Sequence, residues 1–313
     1  MKYKCRICNN SDSNIKYIFH EKMYASNDSF EYFQCPKCQT LQINECPANL
    51  SDYYPQDYYE SNFTIKKNIH DYFRLKRDLS SYGQKTFTGM FLNKQIGINY
   101  NCKAFAWLQE KINISPEAKI LDVGCGPGNF LLFLEKLKFK NLTGLEPYTH
   151  ESYLIGKNNN IKIAKQTLEE HSGKYDLIVL NHSFEHMLEP QKAFENLKRL
   201  LAKDGHIFLR VPVLGWAWEH YKENWVQLDA PRHLFIPSLA AIDHLCSSFE
   251  SRIIDIKFDS NSFQFTGSEK YLQGLALKEQ VKLSKNQINE YKSKSLELNE
   301  TQKGDQACFI IGN

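Results

Sequence analysis

Three groups of residues in this chain have the types and spacing to do chemistry. The first is the run Lys119-Ile120-Leu121-Asp122-Val123-Gly124-Cys125-Gly126-Pro127-Gly128-Asn129-Phe130. An apolar stretch ending in an acid reads as a buried parallel strand, and the glycine turn after it lets backbone approach a ligand where no Cβ intervenes. From Asn129 the period changes: Phe130, Leu131, Phe133, Leu134 and Leu137 fall at helical spacing, so a helix begins beneath the turn. Such a strand, turn and helix N-terminus open a nucleotide-binding α/β domain. The glycines run Gly124-x-Gly126-x-Gly128 rather than G-x-G-x-x-G, and no P-loop lysine follows. Asp122 would oppose a pyrophosphate but suits a cationic amino-acid moiety. Cys125, inside the turn, reads as a small filler rather than a nucleophile.

The second group is Cys5-x-x-Cys8 with Cys35-x-x-Cys38, four of nine cysteines. Each pair can present two thiolates from one tight knuckle, and two knuckles complete a tetrahedral all-thiolate site. Structural zinc is expected there, with no open position for catalysis, because so short a segment needs the metal to fold. The third group is His182, His186 and His233, with Glu185 beside His186. Histidine is the natural base near neutral pH. Glu185-His186 also reads as a helix-capping pair packed against a sheet, and His233 as a structural histidine in an aromatic loop.

The elements that must carry these residues follow in order. Strands are expected at about 118–123, 142–146, 161–164, 175–180, 205–211, 253–258 and 307–311, with a helix at about 129–138. The second strand ends in Glu146, 22 positions after Gly124, where a carboxylate can accept hydrogen bonds from both ribose hydroxyls. Three parts are expected: a zinc ribbon over 1–46, an aromatic connector and helical cap over 47–114, and an α/β domain over 115–313 with a helical insertion at about 269–303. The insertion, rich in Lys and Glu, reads first as a solvated helix or hairpin and second as an oligomer contact.

Composition bounds the rest. A net charge of +3 over 313 residues makes no electrostatic case for nucleic acid. The start, Met1-Lys2-Tyr3-Lys4, lacks an apolar signal segment, and no run approaches the ~20 apolar residues of a membrane span. A cytoplasmic enzyme with no membrane partner is expected; the oligomeric state is left open.

The turn from Asp122 to Gly128, Glu146, and the segment from Asp176 to His186 together resemble class I S-adenosylmethionine (SAM)-dependent methyltransferases from about residue 100 onward. With the ribbon, the whole chain resembles the zinc-ribbon methyltransferases that tailor deoxysugars and surface polysaccharides. The stretch Trp225-x-x-Leu228-Asp229-Ala230-Pro231-Arg232-His233-Leu234-Phe235 strengthens the likeness. The resemblance implies a Rossmann-like seven-stranded α/β fold with a small amino-terminal zinc ribbon. It implies SAM held by Asp122, Gly124, Cys125, Gly126, Gly128, Glu146 and Pro147, with Thr167 and Leu168 along the adenine and Asn181 and His182 near the methionyl part. His233 leads as base, with His186 as its rival and Glu185 in support. Sugar C-methyltransferases with such a ribbon usually carry a further C-terminal α/β domain for which this length leaves no room, so a hydroxyl acceptor on a small carbohydrate is expected. The competing expectations are an RNA methyltransferase that grips RNA through the ribbon, and a SAM-binding protein without turnover. Against the first stand the near-neutral charge and the absence of an Asn/Asp-Pro-Pro-aromatic tetrapeptide.

Overall fold

The computed structural model describes residues 3–54, 69–83, 86–96 and 99–313. The Tyr58-Tyr59 part of the expected connector lies outside them. The chain opens with three short strands, β1 (Ile15–His20), β2 (Ser29–Gln34) and β3 (Leu41–Ile43). Three helices follow: α1 (Ile69–Tyr82), α2 (Phe87–Ile96) and α3 (Tyr100–Ile112). The side chain of Asn99 caps α3 by accepting from the amides of Asn101 and Cys102, and Asn113 ends it in the left-handed conformation.

The α/β elements come next: β4 (Lys119–Val123), α4 (Asn129–Lys136), β5 (Asn141–Leu145), β6 (Tyr153–Ile155), β7 (Ile161–Ala164), β8 (Tyr175–Asn181), α5 (Pro190–Leu200) and β9 (Leu201–Pro212). The last part runs α6 (Trp216–Tyr221), β10 (Phe235–Ile236), α7 (Leu239–Ser248), β11 (Arg252–Phe258), α8 (Phe263–Leu272), α9 (Lys285–Glu300) and β12 (Gln306–Gly312). All seven expected strands form. An eighth, β6, is three residues long, too short to leave an alternating pattern, and pairs antiparallel with β7. The helical stretch expected near 269–303, as a helix or hairpin, comprises the end of α8 and then α9, separated after Gly274 turns the chain at φ 70°.

These elements form two compact units. One holds the described residues from Pro55 to Asn181 with Arg199–Phe208. Its sheet runs β8-β4-β5-β7-β6, with the first part of β9 beside β8. The pairs β4–β5, β4–β8 and β5–β7 are parallel, Asp122 lying opposite Gly144 and Val179. Ile120, Leu121, Leu177 and Ile178 are wholly buried, as strands of a parallel sheet covered on both faces must be. Phe105 of α3 packs edge-on to Phe130 and Phe139 at 5.6 Å each, closing the core over α4.

The other unit holds the residues up to Tyr54, His182–Lys198 and Leu209–Asn313. In it the ribbon strands form a sheet ordered β1-β2-β3-β10, in which Phe235 and Ile236 pair with Gln42 and Leu41. β11 and β12 pair antiparallel, and every residue of β12 is buried. Ser238 ties ribbon and helix together: its hydroxyl donates to the Cys38 carbonyl at 2.6 Å and accepts from the Ala241 amide, capping α7.

Candidate active site and candidate metal centre

Within the parallel-sheet unit, β4, β5, β7 and β8 deliver their carboxyl ends to one edge, where ligands of open α/β sheets sit. Gly124, Gly126 and Gly128 all take positive φ, at 71°, 52° and 80°. A Cβ on Gly126 would meet nothing within 4 Å, whereas one on Gly128 would lie 2.4 Å from Ile155 Cδ1. Gly126 therefore leaves open space and Gly128 permits close packing. The amides of Gly124 and Cys125 donate to the Leu145 carbonyl, and that of Gly126 donates to Glu146 Oε2 at 2.9 Å. The turn is thus pinned to the end of β5. Cys125 fills the gap above Gly144, where an added Cβ would lie 2.5 Å from its sulfur.

Asp122 and Glu146 are both buried at this edge. Burial, reinforced by the Glu146 charge, pushes the Asp122 carboxyl up to about 7. Two buried acids at one sheet edge suit a cationic ligand, and the free space at Gly126 gives it room. Pro147 follows Glu146, while Glu146 Oε1 also accepts from the Tyr148 amide. Thr167 donates through both amide and hydroxyl to Glu170, which fixes the turn after β7; Leu168 is half-buried beside it. Asn181 closes β8.

In the ribbon unit, Cys5, Cys8, Cys35 and Cys38 are all buried, with sulfurs within 4.8 Å of one another. The Cys5–Cys38 and Cys8–Cys35 sulfur distances are both 3.5 Å. Tetrahedral thiolates around an ion at about 2.3 Å stand about 3.8 Å apart, so the set fits such an ion. Gln42 Nε2 donates to Cys5 Sγ at 3.2 Å, an outer contact that orients a ligand.

The histidines converge in the same unit. His182 takes φ 55°, in the left-handed region, and so turns the chain sharply after β8. Its Nδ1 then lies 3.2 Å from Glu185 Oε1. Residues Phe184–His186 form a 3₁₀ turn, not the start of a helix, which removes the helix-capping reading of Glu185-His186. His233 Nδ1 donates to the Gln227 carbonyl at 2.7 Å, so Nε2 carries the lone pair. That nitrogen lies 3.9 Å from Glu185 Oε1 and 4.0 Å from Asp229 Oδ2. His186 Nδ1 donates to the Arg232 carbonyl at 2.9 Å, Tyr54 Oη lies 3.1 Å from it, and the two imidazoles stand 4.9 Å apart.

Burial, then the neighbouring His186, lowers the His233 pKa to about 4 against the pull of Asp229 and Glu185. Burial would raise Glu185, but the hydrogen bond with His182 and the nearby imidazoles override it and hold the carboxylate down at about 2. Its Oε2 is buried with no hydrogen-bond partner. Glu185, His186 and His233 could also surround a metal, being the second ligand-like group within 4.8 Å among the described residues.

Two histidines have partners that local sequence does not indicate. His233 is buried and faces two carboxylates, one of them four residues earlier in its own loop. His182, expected near the cofactor, also pairs with Glu185. Sequence reasoning missed Asp229, Arg232, Tyr54 and Glu21. The spacing Asp229-x-x-Arg232-His233 was a signal for the first two; nothing local marked the others.

A glycine turn pinned beside two buried acids on a parallel sheet defines a nucleotide-binding α/β enzyme. Residues 97–254 match the family model described as a methyltransferase domain, and the chain belongs to that family of SAM-dependent methyltransferases. The chain is 25% identical over 173 residues to a tRNA U34 carboxymethyltransferase of Campylobacter concisus, covering 50% of this chain and 58% of that one. It is 22% identical over 187 residues to the mitochondrial ubiquinone biosynthesis O-methyltransferase of Saccharomyces cerevisiae, covering 45% and 60%. The chain thus spans about three-fifths of those two relatives' lengths. Among solved structures it is similar to the mycolic acid cyclopropane synthase CmaA1 complexed with SAH and CTAB, at 18% identity and TM-score 0.47, covering 83% of this chain and 99% of that one. No helix among the described residues is long and apolar enough to cross a membrane.

Proposed function

We propose that the protein transfers the methyl group of SAM to a hydroxyl of a small polar acceptor, a sugar, sugar nucleotide or surface-polysaccharide precursor. The observation that carries this is the state of His233: one nitrogen donates to a carbonyl, and the other, bearing its lone pair, faces two carboxylates. Bound SAM supplies a methyl on a sulfonium, which needs alignment more than activation. Asp122, the glycine-turn backbone (Gly124, Cys125, Gly126 and Gly128), Glu146, Pro147, Thr167, Leu168 and Asn181 hold it. A hydroxyl nucleophile must lose its proton, and His233 accepts it. Glu185 and Asp229 stabilise the imidazolium that forms, while His186 flanks the base and His182 anchors Glu185.

Cys5, Cys8, Cys35 and Cys38 hold one zinc ion with a structural role. The acceptor is a carbohydrate rather than RNA, a reading supported by the net charge of +3. The resemblance to a tRNA-modifying enzyme is the ground for the rival. The test is transfer of tritiated methyl from SAM to a panel of nucleoside-diphosphate sugars and, separately, to total RNA. Label appearing in the sugar panel is expected. Label confined to RNA overturns the acceptor class, and bound SAM with no labelled product in either overturns turnover itself.

A further inference from the structure

Two buried charges, Glu21 and Arg232, have no direct part in the proposed chemistry. Glu21 and Arg232 are both fully buried, and Arg232 Nη2 donates to Glu21 Oε1 at 2.7 Å. The same guanidinium donates through Nε and Nη2 to Asp229 Oδ1, at 2.9 and 2.7 Å, and through Nη1 to the Tyr53 carbonyl. Glu21 is fixed in turn by the amides of Tyr24 and Ser26, within the β1–β2 connection. Two carboxylates therefore share one cation, which leaves the trio with a net negative charge. The oxygen of Asp229 not engaged by Arg232 is the one 4.0 Å from His233 Nε2.

The backbone around His233 is tied to the ribbon as well. Tyr32 of β2 donates its buried hydroxyl to the His233 carbonyl at 2.9 Å. The Ile43 amide of β3 donates to the Leu234 carbonyl, and the Leu234 amide donates to the Glu185 carbonyl, both at 2.9 Å. Three consecutive carbonyls, of Arg232, His233 and Leu234, are thus held by His186, Tyr32 and Ile43 respectively. None of these bonds would be needed for a module that merely grips a ligand at its outer face.

We infer that the amino-terminal ribbon is the scaffold of the proton-accepting loop, with Tyr32 and Glu21 as positioning residues for His233. Tyr32 sets the height of the loop. Glu21 satisfies half of Arg232, so that Asp229 keeps negative charge to offer the imidazolium. Without Glu21, Arg232 pairs with Asp229 alone and the balance at His233 turns less negative. This inference rests on the reading of His233 as base, and its test separates the two.

The test uses the full chain and the variants Glu21→Gln and Tyr32→Phe, each close to isosteric. The titration midpoint and tautomer of the His233 imidazole are followed by nitrogen-15 NMR, together with zinc content, SAM affinity by calorimetry, and turnover on the acceptor pool. The groups facing His233 are His186, Glu185, Asp229 and the Gln227 carbonyl. With these unchanged, Glu21→Gln is expected to move the midpoint to lower pH. Tyr32→Phe, which loses one buried hydrogen bond, is expected to lower kcat by about 2- to 10-fold with SAM affinity and zinc retained. Should Glu21→Gln fail to fold, Tyr32→Phe decides by kcat. Both variants folding with an unmoved midpoint and wild-type kcat overturns the inference, whatever His233→Ala does. A moved midpoint with His233→Ala fully active supports the scaffold and overturns only the base.

Discussion

The two chemical regions of this chain are built in opposite ways. The cofactor edge is local: Asp122, the glycines and Glu146 span 25 consecutive positions from the end of one strand to the end of the next, and β4 and β5 pair in register. There burial, and then the Glu146 charge, raise the Asp122 carboxyl to about 7. The proposed base cluster is assembled from Glu21, Tyr32, Tyr54, Glu185, His186, Asp229, Arg232 and His233, across more than 200 residues of chain, and its carboxylates are fixed by Arg232 and His182. A region proposed to meet a cationic ligand can hold its acids side by side, one of them raised by burial and by the other. A region that must create a charge during the reaction needs its counter-charges fixed beforehand, because reorganising them would add to the barrier.

If the ribbon is what fixes the second region, removing its ion should produce the largest effect. Cys35→Ser breaks a four-thiolate site whose formation is coupled to folding. Elemental analysis should read no zinc, and hydrogen exchange should show β1–β3 unprotected while β4 and β5 stay protected. A full equivalent of metal surviving in this variant would move the ion to Glu185, His186 and His233, the other ligand group among the described residues.

The next largest effect concerns the base itself. His233→Ala should lower turnover by roughly 10²–10⁴-fold and leave SAM affinity intact, because His233 belongs to the proposed base cluster and not to the proposed cofactor edge. A dead His186→Ala beside a normal His233→Ala would exchange their roles. With the His233 pKa lowered to about 4, the base stays neutral on acidification until well below the usual histidine range. The acid limb of kcat/KM assigned to this group should therefore fall below pH ~5.5, with a flat profile from pH 6 to 8. The unfolded chain protonates this histidine near its ordinary value, so the contribution of neutral His233 to stability is lost as pH falls below about 6.5.

A smaller effect is expected at the cofactor edge. Glu146→Ala removes charge-assisted hydrogen bonds worth roughly 1.5–3 kcal/mol, so calorimetry should show SAM binding about tenfold weaker or more. Glu146 also receives the Gly126 amide, so part of that loss is a loosened turn. Glu146→Gln keeps an acceptor for that amide and isolates the charge. Equal affinity in Glu146→Ala and the parent would break the assignment of this edge to the cofactor.

What the sequence made legible follows the same division. Strand β4, its turn and α4 could be read because an apolar run, an acid, three glycines and a helical period lie side by side. The four cysteines were legible because paired spacing is itself the signal. The base cluster was legible only in its own letters. Nothing near Glu21 announces a partner 211 positions away, and nothing around His233 announces its burial because the loop there has no periodicity. Burial of such a loop is decided by tertiary pairing, here β3 with β10, two residues long and invisible to pattern.

The smallest effect tests whether Asp122 at the proposed cofactor edge meets a cation. Asp122 is raised to about 7 by burial and by Glu146. In the unfolded chain the same group ionises near 4. Between those values the free folded protein binds a proton that the unfolded chain has released. Stability of the cofactor-free protein should therefore fall as pH rises from about 4 to about 7, and Asp122→Asn should lack that slope. The cofactor reverses the preference, because its cationic amino-acid part favours the ionised acid. SAM affinity should then climb with pH up to about 7, by at most about tenfold per unit, and level off above it. Asp122→Asn should bind SAM more weakly at pH 8, with the affinity difference narrowing toward pH 6. Calorimetry in buffers of differing ionisation enthalpy would show a proton released on binding near pH 6.5 in the parent and none in the variant. If the parent releases no proton and its affinity is level from pH 6 to 8, Asp122 does not meet the cation, and the buried pair serves only to hold the turn.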